Sequence, residues 1–239
     1  MLFEGSISVK AVMLAEKRKV SKIFIDQNKH DKDTDFIIKL ARSKAIEIVR
    51  SKREEIDKLT EKNSHGGVIA YASDRTSDEL DKLLDRDFLC LLEGIEDPFN
   101  FGYCLRSLYA AGCGGVLVSE RNWLDSSTTV CRSSAGASEY LNIHVYSDLE
   151  KTLTKIKKSH LIICAARKDA ISIYQQDYQR PLLLAIGGEK RGLSKIVNEI
   201  SDQNVFIPYA NEFRNALNAS SAVSVIAFEI YRQKEMRQI

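Results

Sequence analysis

The chain has 239 residues, 44% of them hydrophobic and 28% charged, with a formal net charge of +2, which describes a protein able to bury a sizeable core in one large domain or two small ones. No stretch approaches the roughly 18 apolar residues of a membrane span, and the opening MLFEGSISVK lacks the apolar run of a signal peptide, so a cytoplasmic protein without a membrane partner is expected. Five scattered cysteines, none spaced C-x-x-C, and four dispersed histidines give no disulfide framework, zinc site or serine-hydrolase triad, so buried reduced thiols and no metal are expected.

Apolar positions between Ser6 and Lys19 fit a helix imperfectly, and KIFID then reads as a strand. The intervening run Lys17, Arg18, Lys19 and Lys22 belongs to a base excess: residues 1–75 hold 16 Lys and Arg against 12 Asp and Glu, whereas residues 76–239 hold 19 against 21. Such a run can meet RNA phosphates through a salt-sensitive attraction, although from charge alone the commoner explanation is a solvated helix face. Asp33 or Thr34 can cap a helix carrying Phe36, Ile37, Leu40 and Ala41 on one face. Residues 45–49 turn toward strand, 52–59 toward helix, and GGVIAYAS is again strand. The first 75 residues therefore form a small α/β domain, and the polar stretch 76–86, within DRTSDELDKLLDR, reads as a connecting helix. In 87–239 the strand-like runs FLCLL, GVLVS, NIHVY, LIICAA, LLLAI and VFIP alternate with helices, the pattern of a mainly parallel sheet. The last helix places Val223, Ile226, Ala227, Ile230 and Tyr231 on one face, with Arg232, Lys234 and Arg237 in its final turns.

Three blocks sit at strand exits, where ligands gather in open parallel sheets. In EDPFNFGYCLRS, Asn100 can cap a helix and Gly102 permits close backbone approach. Phe101, Leu105, Leu108 and Tyr109 form the apolar face of that helix and set Arg106 beside it, so its guanidinium needs an anion, either a structural carboxylate or an RNA phosphate. In LLLAIGGEKRGLS the glycines first suggest a phosphate loop. The chain reads Gly192-Leu193-Ser194 where a P-loop requires Gly-Lys-Ser or Thr, and no G-x-G-x-x-G follows any strand, so nucleotide readings fail. A loop able to close on a ligand through backbone at Gly187 and Gly188 remains, with Glu189 either in the site or beside a helix N-terminus. In VFIPYANEFRNALNASSAV the strand stops at Pro208, a polar loop follows, and Asn215 or Asn218 can cap a final helix whose small first residues admit close packing.

In this order the blocks resemble the three motifs of the SpoU/TrmH family of SPOUT methyltransferases. Asn100, Gly102 and Arg106 match N-x-G-x-x-x-R; Gly187, Glu189 and Gly192 match G-x-E-x-x-G; Ile207, Pro208, Leu217 and Asn218 match I-P, a polar loop and L-N, with Ala216 where relatives often place serine. The resemblance covers about residues 88–235, and HGGVIAYA is similar to a segment of the ribosomal-protein-like substrate-binding domain common in that family. It implies an α/β knot domain with a C-terminal trefoil knot, a homodimer, and S-adenosylmethionine held against backbone at Gly187, Gly188, Ile207 and Leu217, with Ala166 nearby. It further implies methyl transfer to a ribose 2′ hydroxyl of RNA, ribosomal RNA before tRNA. Arg106 would handle phosphate and developing alkoxide charge, while Asn100, Glu189 and Asn218 hold the pocket, the arginine and the substrate. Relatives' accounts that make this arginine a base meet the difficulty of deprotonating a guanidinium. The competing readings are a non-catalytic RNA-binding protein that kept the fold, and a base methyltransferase, whose branches lack the block from Asn100 to Arg106.

Overall fold

The structure, a computed structural model, describes residues 1–60, 65–120, 127–165, 170–212 and 215–236. In its first part, β1 (Leu2–Glu4), α1 (Ser6–Ala15), β2 (Val20–Asp26), α2 (Lys32–Ser43), β3 (Glu47–Ser51), α3 (Arg53–Asp57) and β4 (Val68–Ala72) build a sheet of order β1-β4-β2-β3. β2 and β3 run parallel, and β4 lies antiparallel to both β1 and β2. Alternation along β2 sends Ile23 and Ile25 into one core with Val9 and Met13 of α1 and Ile37 and Ala41 of α2. The cap of α2 is Asp31, not Asp33 or Thr34: its carboxylate accepts the Thr34 amide at 2.8 Å from an extended backbone, and both other candidates already lie within the helix. β1, three residues long, was not expected; so short a segment carries no periodicity and is defined by its pairing with β4.

The connecting segment is mostly not helical. Residues 73–79 have no regular structure and α4 (Asp81–Leu84) is a single turn. The polar groups of this stretch are spent on bonds to the second part: the Asp78 amide donates to Ile143 O at 2.8 Å, the Asp78 carboxylate accepts the Ile143 amide at 2.8 Å, and Ser77 Oγ accepts the Val145 amide at 2.9 Å. A helix over residues 74–86 would forfeit these bonds.

The second part contains β5 (Phe88–Glu93), α5 (Pro98–Ala110), β6 (Gly115–Ser119), α6 (Ser127–Ser133), α7 (Ala137–Tyr140), β7 (Ile143–Tyr146), α8 (Leu149–Ile156), β8 (Leu161–Ala165), β9 (Ile171–Ser172), β10 (Leu182–Gly187), α9 (Lys195–Ile200), β11 (Gln203–Phe206) and α10 (Ala219–Glu235). The strands form one seven-stranded sheet of order β7-β6-β5-β10-β8-β11-β9, parallel at every pairing. Along β5, Phe88, Cys90 and Leu92 face α5 and α10, whereas Leu89 and Leu91 face α8 and α9, so both sides of the sheet are covered. β10 enters between β5 and β8, which brings Gly187 level with Glu93 at the carboxyl edge. All five cysteines are buried and free.

Three local expectations change. Asp97 caps α5, accepting the Asn100 amide at 2.7 Å, and Pro98 opens the helix, so Asn100 lies inside the first turn. Phe101, Cys104, Leu105 and Leu108 form the buried stripe of α5; Cys104 turns that stripe away from Arg106 and Tyr109, both of which are exposed. On α10, Val223, Ile226, Ala227 and Ile230 are buried as expected, but Tyr231 is exposed and meets Phe228 edge to face. Arg232 pairs with Glu229, and Arg237 lies outside the described residues.

The two sheets are joined by a buried polar junction, and it claims part of the basic run expected to meet RNA. Arg18 Nε lies 2.8 Å from Glu139 Oε2 with both side chains about 1% exposed, and the guanidinium stands over the Phe3 ring. Lys17 Nζ reaches Asp78 Oδ1 and Asn142 Oδ1, each at 2.7 Å. Arg75 donates to Asp78, to Leu141 O and to Ser138 O. Lys17 and Arg18 therefore tie the first part of the chain to the second. Lys22 is paired with Glu47 across β2 and β3, and Lys19 is exposed.

Burial acts to raise the Asp78 carboxyl, but Lys17, the Ile143 amide and Arg75 together hold it below its ordinary value. Asp78 thus adds stability that is fully present above the ordinary carboxylate pKa of about 3.9 and is lost as pH falls through the lower folded value. Asp78→Asn is expected to flatten the acid side of a stability-versus-pH profile. Arg18→Met, which leaves Glu139 buried without its cation, is expected to cost about 3–5 kcal/mol in urea denaturation.

Candidate active site

The carboxyl edge of β10 is shaped by glycines that leave no room for side chains. The Gly188 amide donates to Glu93 O at 2.7 Å and Gly188 O accepts the Gly192 amide at 2.9 Å, closing a narrow antiparallel bridge. A Cβ on Gly188 would strike the Gly94 carbonyl, and one on Gly187 would strike the Gly192 and Leu193 backbone. Gly192 itself has φ +64°, in the left-handed region. Glu93 grips the far end of this loop as well, since its Oε2 accepts the Ser194 amide at 2.7 Å where α9 begins. The carboxylate near that helix start is therefore that of Glu93. Glu189 instead stands exposed in the loop's turn.

Beside the loop lies a cleft of about 980 Å³ over the carboxyl ends of β8, β10 and β11. One wall is the glycine loop from Ile186 to Leu193, a second is Val205 to Ile207 with Tyr209, and a third runs from Asn215 to Ala219. Ala222 and Ile226 of α10 also line it. The small residues Ala219 and Ala222 keep the helix start open, and Asn218 fixes that start by accepting the Ser221 amide at 2.8 Å and the Ser220 hydroxyl at 3.2 Å. Across the polar loop, Tyr209 Oη accepts the Leu217 amide at 3.0 Å. The volume and the mixture of apolar side chains with backbone groups suit a small organic ligand of nucleoside size.

Gly187, Gly188, Glu189, Ile207, Leu217 and Asn218 are thus gathered on one cleft, although Gly188 spends its own amide and carbonyl within the loop. Ala166 lies outside the described residues, next to the lining residue Ala165. Asn100 and Arg106 do not line the cleft. Asn100 is half-buried in the first turn of α5, and Arg106 is exposed with no ion pair or hydrogen bond among the described residues, so the structural carboxylate considered for it is not found there. Gly102 makes its close approach to Ser133 of α6, whose hydroxyl would overlap a Cβ, so that glycine serves helix packing.

Two site residues escaped the sequence reading. Glu93 had a visible signal, an acid closing the otherwise apolar strand FLCLLE at its carboxyl end. Tyr209 had none, since no periodicity runs through a polar loop. Among the described residues, no group of three or more His, Cys, Asp or Glu is gathered to hold a metal, and no helix is long and apolar enough to cross a membrane.

The chain is similar over nearly its whole length to the 23S rRNA (guanosine-2′-O-)-methyltransferase RlmB of Shewanella oneidensis, at 29% identity over 237 residues covering 96% of each chain. The protein of that name from Pseudomonas syringae is also 29% identical, over 98% of this chain and 96% of its own. Among solved structures, the SpoU methyltransferase AviRb from Streptomyces viridochromogenes superposes with a TM-score of 0.82 at 23% identity, covering 99% of this chain and 90% of that one. Its complex with AdoMet gives a TM-score of 0.81 at 24% identity, covering 98% and 90%. Residues 3–77 match the family described as RNA 2′-O ribose methyltransferase substrate binding. Residues 87–228 match the SpoU rRNA Methylase family, and with more than half its length inside that match the chain belongs to this family.

Proposed function

We propose that the protein transfers a methyl group from S-adenosylmethionine to a ribose 2′ hydroxyl of ribosomal RNA, with residues 1–75 holding RNA, 76–86 joining the parts and 87–239 carrying the transfer. The observation that carries this reading is the cleft, which gathers the glycine loop, Ile207 and Leu217 on one ligand-sized concavity. Gly187, Gly188, Ile207 and Leu217 would hold the donor, with Ala166 proposed as a further contact. S-adenosylmethionine supplies a methyl on a sulfonium that departs as a neutral thioether. The protein must then align the 2′ oxygen and accommodate the charge that develops as its proton is lost. Glu189 and Asn218 stand on the cleft to orient substrate, and Asn100, whose backbone amide donates to the Asp97 cap of α5, is proposed to help hold the pocket. The strand order β5-β10-β8-β11 carries the chain back across earlier strands before α10, which supports the knot expected of this part.

Arg106 is proposed to pair with an RNA phosphate and stabilise the 2′ oxyanion. It is proposed to do so within a homodimer, because it is exposed and does not line its own chain's cleft. The reading rests on the outward surface shared by α5 and α10, which are tied by the hydroxyls of Ser107 and Ser224 at 2.7 Å. Phe99, Tyr103, Val225, Phe228 and Tyr231 there are each 36–47% exposed, and Arg106 shares the α5 face of Phe99 and Tyr103. A second copy seated on this face would bring Arg106 to a neighbouring cleft. The work is placed in the cytoplasm, where ribosomal RNA is available.

The activity is tested by incubating the protein with labelled donor and ribosomal RNA and mapping positions resistant to alkaline cleavage, since a 2′-O-methyl removes the internal nucleophile. Label at a defined ribose is expected; no label in any RNA would favour a non-catalytic RNA-binding protein. Arg106→Ala is expected to lower turnover by about 10² or more, the scale of losing an electrostatic stabiliser, with donor binding nearly intact by calorimetry. Phe228→Lys is expected to halve the mass seen by light scattering and to abolish turnover with it.

A further inference from the structure

Between β11 and α10, the described residues Tyr209, Asn211, Glu212 and Asn215 to Asn218 line the cleft. Pro208 to Glu212 and Asn215 to Ala216 are exposed and belong to no helix or strand. The ends of this segment are anchored by other elements, β11 on one side and the Asn218 cap of α10 on the other. Across the segment itself runs the bond from the Leu217 amide to Tyr209 Oη, 3.0 Å long, joining residues eight apart that both line the cleft. Ala216, next to the bonded amide, has no side-chain group that could do the same work.

From this geometry we infer that Tyr209 is a positioning residue of the donor cleft: its phenol oxygen clasps the Leu217 amide and holds these two lining residues in the arrangement that receives the donor. The inference rests on the proposed use of this cleft for S-adenosylmethionine. A phenol suits the task because its oxygen accepts the amide hydrogen while its own O–H remains a donor. The ring supplies the reach across a loop whose polar neighbours, Asn211 and Glu212, also line the cleft. Without the clasp, Tyr209 and Leu217 must be brought together at the moment of binding, and that cost falls on donor affinity rather than on the chemical step.

Tyr209→Phe removes the clasping oxygen and keeps the ring. Hydrogen exchange in the peptide spanning Leu217 is expected to rise in the unliganded variant, a direct readout independent of turnover. In calorimetry with S-adenosylmethionine and with S-adenosylhomocysteine, Kd is expected to rise about five- to tenfold, the scale of one intramolecular hydrogen bond. The donor KM should follow, kcat should change less than about twofold, and the KM for RNA should stay constant. Unchanged exchange with unchanged donor affinity would overturn the inference, as would tighter donor binding, which would make the phenol a competitor for the amide. An equal fall in kcat with unaltered donor affinity would also overturn it. Wild-type protein that binds neither probe would refute the assignment of the cleft itself, an outcome separable from a variant that binds as well as wild type.

Discussion

The close approach of two backbones, at Gly94 and Gly188, is the constraint from which the cleft follows. The carbonyl of one glycine fills the space where a side chain on the other would stand. β5 and β10 are neighbours in a parallel pairing that ends with Glu93 beside Gly187, so their exits must share one small volume. Glycine solves the crowding, and Glu93 then fastens both ends of the loop, one through its carbonyl and one through its carboxylate. The wall so formed is made of main chain. It owes its shape to hydrogen bonds that most side-chain changes would leave untouched, and to glycines that admit no change.

The structure separates two kinds of work that the motif letters run together. Gly187, Ile207 and Leu217 line the cleft, whereas Arg106 is exposed on α5 in helical register with the exposed Phe99 and Tyr103. Arg106 is not among the residues that line the cleft of its own chain. The spacing of N-x-G-x-x-x-R accordingly speaks of helix geometry as much as of chemistry: its glycine packs against Ser133, and its asparagine sits within a turn already capped by Asp97.

Much of this was legible in the sequence wherever a residue's role depends on near neighbours. The strands of the large sheet announce themselves as apolar runs, and Asn218 caps α10 as its position before small residues suggests. Local reasoning failed where two residues could serve one role. Asp97 and Asn100 can both cap a helix, and Pro98 between them, a first-turn residue, was the deciding mark. On α5 the ring of Tyr109 is apolar enough to suggest the core, yet it is Cys104 that is buried, which turns the stripe away from Arg106. Distance in sequence hid the rest. Nothing around Arg18 reveals a carboxylate 121 positions later, so a buried tie read as a solvated cation. β1 and β9 are too short to show any period and exist by virtue of the strands beside them.

The junction through Arg18, Lys17, Arg75 and Asp78 has a consequence for how RNA is measured. Two binding surfaces on a slack tether accept targets over a range of separations and lose orientational freedom each time both engage. Surfaces fixed by buried charges and by the packing of Gly136 on Ala11 act instead as the jaws of a caliper set to one opening. For the RNA substrate proposed above, a target that presents its recognised fold and its ribose at that span would meet both parts at once, and selectivity would then reside in the length between two features as well as in the chemistry of either.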